Sequence, residues 1–481
     1  MGRRDQLERS APANLDGWFD SDPQGAEARS DRSEGVSEIS RRSFVAATAA
    51  GALAYAASGA SSARETSARR VAARVGREIR IGVIGCGGRG RGAAGNALEA
   101  SADARIVALG DLFPERIEAA LTGLASFGVR SSVPTAQCFT GFDAYQGVLA
   151  VPCDYVILAT PPGFRPIHFG AAVAAGRNAF IEKPVAVDPT GIRTMLAAAK
   201  EVDAKGLKVA AGTQRRHEWC YLEAMQRIRD GAIGTVVAAR VFWNMGSLWN
   251  VEPDPKRSDV ENQIRNWLYH TWLSGDHIVE QHVHNLDVAN WAMGTHPVRC
   301  VAVGGRQSRV DSARFGNVYD HFAIDFEYPG VGDAAGERVP RFALSMARQQ
   351  DGTAGRVEEI IHGSEGMARL SSGSARIVGK APWTFKGPNN NPFVQEHMDL
   401  QAAIIDNKPL NETASIATST MTAIMGRMAA YTGAELTWDA ALNDPLQLMP
   451  PTLEMGPLPQ LPVAIPGQPI ESPRAIPAPK A

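Results

Sequence analysis

The sequence is poor in cysteine, with five residues among 481: Cys86, Cys138, Cys153, Cys220 and Cys300. They are far apart, odd in number and form no Cys-x-x-Cys pair, which argues against a thiol-based zinc or redox site and against a disulfide framework. No Gly-x-Ser-x-Gly element stands between a strand and a helix, so the nucleophile elbow of a serine hydrolase is missing. A sustained basic stripe is also lacking. The formal net charge is -2, and nucleic acid is not expected as a partner. The apolar stretch ending at Ala60, about 16 residues of mainly Ala and Gly, is short and weakly hydrophobic for a membrane span of roughly 20 residues.

Residues 1–40 are rich in Asp, Glu, Arg, Ser and Gly and hold almost no apolar cluster able to offset the entropy of ordering. No fold is expected there. Ser40-Arg41-Arg42-Ser43-Phe44-Val45 and the following Ala-rich stretch have the charged and apolar regions of an export signal. Adjacent arginines before Phe44 resemble a twin-arginine signal, a route that carries proteins already folded. The expectation is export to the periplasm, transient contact with the twin-arginine machinery, and cleavage somewhere near residues 54–65. Retention as an uncleaved anchor is the alternative.

Glycine is abundant, with 47 residues, so a glycine pattern carries meaning only through its setting. Ile81-Gly82-Val83-Ile84 feeds directly into Gly85-Cys86-Gly87-Gly88-Arg89-Gly90, and a second apolar run, Ala104 to Leu109, is closed by Asp111. That arrangement is a dinucleotide pocket. Gly85 permits the tight turn after the strand, Gly87 lets a pyrophosphate approach the backbone, and Gly90 lets the next helix pack closely with its free N–H groups facing the anion. Asp111 would accept hydrogen bonds from an adenosine ribose and repel a 2'-phosphate, which favours NAD. It lies 26 residues after Gly85 rather than the usual interval of about 20, and Arg89 or Arg91 softens the preference, so NADP stays open.

Asp154 to Thr160 is a further apolar strand, ending in Thr160-Pro161-Pro162, and Asn178 to Ile181 is another, ending in Glu182-Lys183-Pro184. Alanine-rich helical stretches occupy 171–175, closed by Gly176, and 192–204. Alternation of strand and helix over 78–212 predicts a doubly wound parallel sheet with its ligand site at the carboxyl ends of the strands, where Gly85, Asp111, Thr160 and Lys183 fall. From about 213 the pattern changes. Strand-like stretches at 235–243, 299–304, 321–328, 342–347 and 356–362, with a long helix between Asp276 and Trp291, predict an open sheet covered on one side by helices. Phe393 to Thr432 reads as helical, interrupted near Asn407-Lys408-Pro409. The tail from Pro450 has ten prolines in 32 residues, which forbids a regular helix. Leu458, Leu461, Val463 and Ile465 favour an anchored arm.

The fold class is therefore α/β. It combines an N-terminal Rossmann domain with a C-terminal α+β domain built on an open, mostly antiparallel sheet. The expected divisions are a leader at 1–77, the nucleotide domain at 78–212, the substrate domain at 213–435 with its last helices returning toward the first domain, and an extended tail at 436–481. Homo-oligomerisation through the open sheet is expected.

The densest polar constellation is Gly275-Asp276-His277-Ile278-Val279-Glu280-Gln281-His282-Val283-His284-Asn285-Leu286-Asp287. On a helix, Glu280 and His284 share one face at i, i+4, with His277 and Asp287 at the adjacent turns as candidates for substrate contact. A catalytic metal is not expected, because His282 and His284 diverge on a helix and Glu280 with His284 is an incomplete ligand set. Lys183, after a strand end and facing this helix, could hold a substrate hydroxyl and stabilise a developing alkoxide. His284 could take the hydroxyl proton, while Glu280 orients the imidazole or binds a neighbouring hydroxyl. Trp243, Asn244, Trp249 and Trp272 could line a carbohydrate site, and Tyr319 is a further candidate for substrate contact or for an additional base.

These elements together resemble the Gfo/Idh/MocA oxidoreductase family, named for glucose-fructose oxidoreductase and inositol dehydrogenase. The resemblance covers roughly residues 78–435 and rests on Gly85 to Gly90, on Ala175-Gly176-Arg177-Asn178-Ala179-Phe180-Ile181-Glu182-Lys183-Pro184, and on Glu280 to Asp287. It implies a catalytic lysine at Lys183 and an acid/base histidine at His284. The family's aspartate four residues before that histidine is replaced here by Glu280, which keeps the charge and adds a methylene. A dinucleotide site made of Gly85, Gly87, Gly88, Arg89, Gly90, Asp111, Thr160, Pro161, Glu182 and Lys183 is implied, with a small sugar, inositol or related polyol as substrate. Export implies NAD held tightly or without dissociation, since a cytoplasmic pool is out of reach. Two other readings stay open: a glycosidase that oxidises its sugar transiently, with Glu280, His277 or Tyr319 as the additional base that elimination requires, and a non-catalytic protein that binds nucleotide or carbohydrate.

Overall fold

The computed structural model describes residues 77–332 and 338–472. The leader with Arg41 and Arg42 lies outside the described residues. Among the described residues no helix is long and apolar enough to cross a membrane.

Six strands form the first sheet: β1 (Ile79–Ile84), β2 (Ala104–Asp111), β3 (Cys138–Thr140), β4 (Tyr155–Leu158), β5 (Asn178–Ile181) and β6 (Val209–Ala211). All pair in parallel, in the order β3-β2-β1-β4-β5-β6. Every residue of β4 is buried, as expected for a strand covered on both faces. Helix α1 (Gly88–Ala100) packs Ala93, Ala94, Ala97 and Leu98 inward, small side chains that bring its axis close to the sheet. Helix α2 (Pro189–Lys205) shows clear end signals. Asp188 accepts from the Gly191 N–H at 2.7 Å, Pro189 opens the first turn, and Gly206 closes it in the left-handed region.

The second sheet has nine strands: β7 (Val236–Met245), β8 (Arg299–Gly305), β9 (His321–Gly332), β10 (Arg338–Gln349), β11 (Arg356–Gly363), β12 (Gly366–Ser371), β13 (Ser374–Gly379), β14 (Trp383–Thr384) and β15 (Leu436–Thr437). Their order is β14-β13-β12-β11-β7-β10-β9-β8-β15, antiparallel except where β7 runs beside β10. This mixed, largely antiparallel sheet agrees with the expected fold class. The hairpin of β12 and β13 was not anticipated from the sequence.

Four helices connect this sheet to the site: α3 (His277–Glu280), α4 (Val283–Met293), α5 (Pro392–Asp406) and α6 (Thr413–Thr432). Residue α6 Gly426 lies so close to the sheet that a Cβ there would stand 2.7 Å from Ile324 and 2.9 Å from Phe326. Helix α5 reaches the first sheet's layer, where Gln401 Nε2 donates to the Ala97 carbonyl at 3.0 Å. Residues 450–472 run without helix or strand and are pinned at intervals. The Leu458 carbonyl accepts from Gln263 Nε2 at 2.7 Å, the Ala464 carbonyl from the Tyr319 hydroxyl at 2.8 Å, and the Gly467 N–H donates to Thr432 O at 2.7 Å.

The long helix expected between Asp276 and Trp291 is broken. Gln281 and His282 separate α3 from α4, and the His282 N–H reaches back to His277 O at 3.2 Å, one residue further than in a regular turn. The chain enters α3 through Gly275 and Asp276, both with positive φ. Asp276 sustains that conformation because its carboxylate accepts from the His277 N–H (2.6 Å), the Tyr319 N–H (2.7 Å) and the Tyr431 hydroxyl (2.5 Å). Burial pushes its pKa up to about 6, against the pull of these hydrogen bonds and Arg309.

Asp287, expected to touch substrate, instead anchors α4. It receives two hydrogen bonds from Arg216, at 2.7 and 2.9 Å, and one from Ser419 Oγ at 2.8 Å. Asp287→Ala leaves Arg216 without its carboxylate. The expected loss is about 3 kcal/mol of stability, at the low end for a broken buried pair because Arg216 is partly exposed. Urea denaturation checks this, and a stability equal to wild type would contradict the anchoring role.

Candidate active site

The site forms where the carboxyl ends of the first sheet meet α3 and α4. At the end of β1 the chain turns through Gly85, whose φ of +94° is strained for any side chain, and the Gly85 N–H donates to Gly110 O at 2.8 Å. Gly90 passes so close to this turn that a Cβ would stand 1.8 Å from Gly85 O. Gly87 faces open space, with nothing within 4 Å of a Cβ position, at the N-cap of α1. An open cradle at a helix N-terminus, with free backbone N–H groups, fits a pyrophosphate. Asp111 ends β2 beside this loop. Its Oδ2 accepts from the Cys86 N–H at 2.7 Å and its Oδ1 from the Phe113 N–H at 3.0 Å. Burial raises its pKa, and the backbone donors oppose that rise.

Beyond β4, the Thr160 hydroxyl lies 3.1 Å from His168 Nδ1 and precedes the Pro161 turn. The sequence offered no sign of Arg165, which is fully buried and donates to the Leu158 carbonyl and, at 2.8 Å, to Thr160 O. It thereby holds this strand end in place. After β5, Glu182 accepts from Arg89 Nε at 2.5 Å. Its carboxylate occupies the room that Gly212 leaves, 2.6 Å from where a Cβ would be. The glycine loop is thus tied to the residue before Lys183.

Lys183 projects from a cis Lys183–Pro184 bond, and its Nζ donates to the Glu280 carbonyl at 2.6 Å and to Glu280 Oε1 at 2.9 Å. Only 14% of the lysine side chain and 11% of the glutamate's are exposed. His284 follows in the first turn of α4, with its ring stacked on Trp243 at 5.7 Å and 22°. Its Nδ1 meets no hydrogen-bond partner among the described residues. Burial holds the imidazole well below its ordinary pKa, helped by the charges of Lys183, Arg215 and Arg89. Arg215, also missed in the sequence, lies over the Trp243 ring at 5.7 Å and pairs with buried Glu359 at 2.9 Å. The run Gln214-Arg215-Arg216-His217 just after β6 is the signal that could have drawn attention to it.

Lys183, Glu280, His284 and Trp243 are therefore drawn together, with Arg89 and Glu182 behind them. His277 is not with them. It is buried in the core, edge-on to Phe322 at 5.1 Å, where burial and Arg309 depress its pKa. Tyr319 serves the arm and Asp276 rather than the cleft. Trp249 packs on Trp267 at 6.0 Å, and Trp272 is buried with its Nε1 on Gln263 Oε1 at 2.7 Å. Asn244 is buried, and its Oδ1 has no partner among the described residues. No group of three or more His, Cys, Asp or Glu among the described residues is arranged to hold a metal.

Comparison with known proteins agrees with this architecture. Residues 79–210 match the oxidoreductase family with an NAD-binding Rossmann fold, GFO_IDH_MocA, and residues 221–369 match the GFO/IDH/MocA C-terminal domain. An inositol 2-dehydrogenase of Rhizobium meliloti is 27% identical over 224 residues, 47% of this chain and 58% of that protein. A glycosyl hydrolase family 109 protein of Shewanella amazonensis is 27% identical over 252 residues, 50% of this chain and 52% of the relative. The chain thus spans little more than half the length of these relatives. In fold it is similar to an aldose-aldose oxidoreductase of Caulobacter crescentus, with a TM-score of 0.57 at 19% identity over 75% of this chain and all of the other. The two family matches share one architecture and together span more than half of the 481 residues, so the chain belongs to the Gfo/Idh/MocA oxidoreductase family.

Proposed function

We propose that this protein is an NAD-dependent oxidoreductase that removes hydride from a hydroxyl-bearing carbon of a sugar, inositol or related polyol. The observation that carries this reading is the Lys183 ammonium, held by Glu280, beside a buried His284 imidazole whose Nδ1 has no partner among the described residues and whose pKa that ammonium helps to depress, next to an open glycine cradle. NAD, when bound, supplies the hydride acceptor. Gly85, Gly87, Gly88 and Gly90 admit its pyrophosphate, with Arg89, Thr160, Pro161 and Glu182 shaping the surrounding wall. Asp111 receives the ribose hydroxyls. Lys183 donates to the oxygen of the reacting hydroxyl and favours its developing negative charge, His284 accepts the proton, and Glu280 orients the ammonium. Trp243 offers a flat face for sugar C–H groups. The inositol dehydrogenase likeness supports a polyol substrate.

The resemblance of Arg41, Arg42 and Phe44 to a twin-arginine signal supports a periplasmic site of action and NAD carried in the folded protein. The glycosyl hydrolase likeness supports a second reading, in which oxidation, elimination and return of the hydride cleave a glycosidic bond. Of the further bases considered for it, His277 and Tyr319 lie away from the Lys183 group, which leaves Glu280. Incubation with free sugars, inositols and aryl glycosides separates the two by product mass and cofactor absorbance. Sugar release without net cofactor reduction would select the second.

The open sheet face offers a surface for self-association. Val301 and Val303 of β8 are 46% and 69% exposed, and Phe342, Leu344 and Met346 of β10 are 42%, 44% and 44% exposed, on the two strands that flank β9, whose Ala323, Asp325 and Glu327 lie between them in register. Pairing two copies through this face would cover it.

Lys183→Ala and His284→Ala should each cost roughly 3–4 kcal/mol of transition-state stabilisation, on the order of 10²–10³ in kcat, with NAD affinity nearly unchanged. Steady-state kinetics and calorimetry check this, and full activity in both variants would leave a non-catalytic binding protein. Because His284 must be neutral to accept a proton and its pKa is depressed, the acid limb of kcat/KM should fall below the ordinary histidine value of about 6.5. Asp111→Ala should weaken NAD more than NADP, as read by calorimetry; an equal loss for both would remove the ribose contact. Leu344→Asp should convert an oligomer to monomer in light scattering while the circular dichroism is retained, and an unchanged mass would exclude the open face as the interface.

A further inference from the structure

Arg265 ends the short helix Asp259–Arg265, in the segment between β7 and α3, yet it reaches across to the first domain. Its guanidinium stands over the Phe113 ring, 3.8 Å from the centroid, and its Nη1 lies 2.7 Å from Glu115 Oε1. One turn back in its own helix, Glu261 Oε1 accepts from Arg265 Nε at 2.8 Å and fixes its aim. Phe113 follows Asp111 by two residues, and its N–H holds Asp111 Oδ1 at 3.0 Å. The stack therefore bears on the strand end proposed for the ribose.

Further along the same segment, Trp272 touches a second strand end. The Phe164 ring meets it edge-on at 6.0 Å, and a Cβ at Gly163 would stand 2.2 Å from the Trp272 carbonyl oxygen. Gly163 and Phe164 belong to the turn after β4, Phe113 to the loop after β2, and β1 lies between these strands. At the usual strand spacing the two ends stand roughly 10 Å apart. Residues 265–272 thus bridge the end of β1, where the Gly85 turn begins. Gln263 braces the bridge, accepting from Trp272 Nε1 and donating to the Leu458 carbonyl of the arm, each at 2.7 Å. The arm adds the Leu458 N–H on Asp259 Oδ2 at 3.0 Å and the Gly456 carbonyl for the Val260 N–H at 3.2 Å. Trp272 and Phe164 are 2% and 6% exposed, whereas the Arg265 and Glu115 side chains are 18% and 50% exposed, so the Arg265 end is the one placed to open.

We propose that Arg265 latches this bridge across the dinucleotide site and sets the rate at which NAD enters and leaves, an inference that rests on NAD occupying the Gly85 to Asp111 site. A guanidinium stacked on a buried ring is shielded from water, while its pair with a half-exposed carboxylate is screened by solvent and salt. Phe113 therefore carries most of the latch, and Glu115 steers it.

The full-length protein, loaded with radiolabelled NAD and chased with excess unlabelled NAD, gives the release rate, and stopped-flow tryptophan fluorescence gives the association rate. Arg265→Ala and Phe113→Leu should each speed release about tenfold or more. Both should also speed association, because a latch obstructs both directions, whereas a damaged site releases faster without binding faster. Glu115→Gln should change either rate by no more than about threefold. Phe113→Leu keeps the N–H on Asp111 and an apolar side chain, so it decides the matter where Arg265→Ala does not fold. Wild-type release from these variants, or faster release without faster association, would overturn the latch and leave the nucleotide site standing. No NAD binding by the wild-type protein would overturn the nucleotide site, and the latch with it.

Discussion

The contact between Lys183 and Glu280 joins the two halves of the site, and the remaining geometry is organised around it. The lysine stands at the end of a strand in the first sheet, and the glutamate closes a short helix packed beneath the second. Two hydrogen bonds from one ammonium, to a backbone carbonyl and to a carboxylate, fix both distance and orientation in a way that apolar packing cannot. The restraint continues backward through Glu182 to Arg89 and so into the glycine turn. The glycine cradle, Lys183 and Glu280 are therefore positioned by one connected set of polar contacts, while His284 stacks on Trp243.

Such a set works only in a protein interior that is dry enough to strengthen it and filled enough to hold it. Trp243 stacks on His284 and also meets Arg215, so an imidazole and a guanidinium share one aromatic ring. The same burial that penalises charge on His284 makes nearby positive groups felt strongly, which keeps the ring uncharged and open to a proton. Arg165 performs a mechanical task in this setting. By occupying two carbonyls at the end of β4, it removes free backbone acceptors from the cleft wall and stiffens the turn toward Pro161.

Much of the nucleotide side was legible in the chain because its requirements are local. Gly85 needs a positive φ, Gly90 needs a missing Cβ, and Asp111 needs only to end the next strand. Each condition involves neighbours in sequence or adjacent strands, so spacing and residue type suffice. The histidine region was harder. A uniform helix from Asp276 to Trp291 would have placed His277 and Asp287 near Glu280 and His284, but the region is two separate helices, with His277 against Phe322 and Asp287 bound by Arg216. Helical periodicity does not encode the entry to α3 either, where the Asp276 carboxylate is held by donors from Tyr319 and Tyr431, far along the chain.

The sequence by itself determined the alternation of strand and helix in the first sheet, the two sheet types, the glycine turn with its acidic strand end, and the residue types of Lys183, Glu280 and His284. Those follow from steric limits and apolar periodicity that act over a few residues. Tertiary structure alone decided which polar side chains meet: that Glu280 reaches Lys183, that Asp287 belongs to Arg216, that Tyr319 holds the arm, and that Arg165 and Arg215 are buried beside the cleft. Pairing of buried charges depends on desolvation and on distances between segments remote in sequence, and both exist only once the two sheets have packed against the same helices.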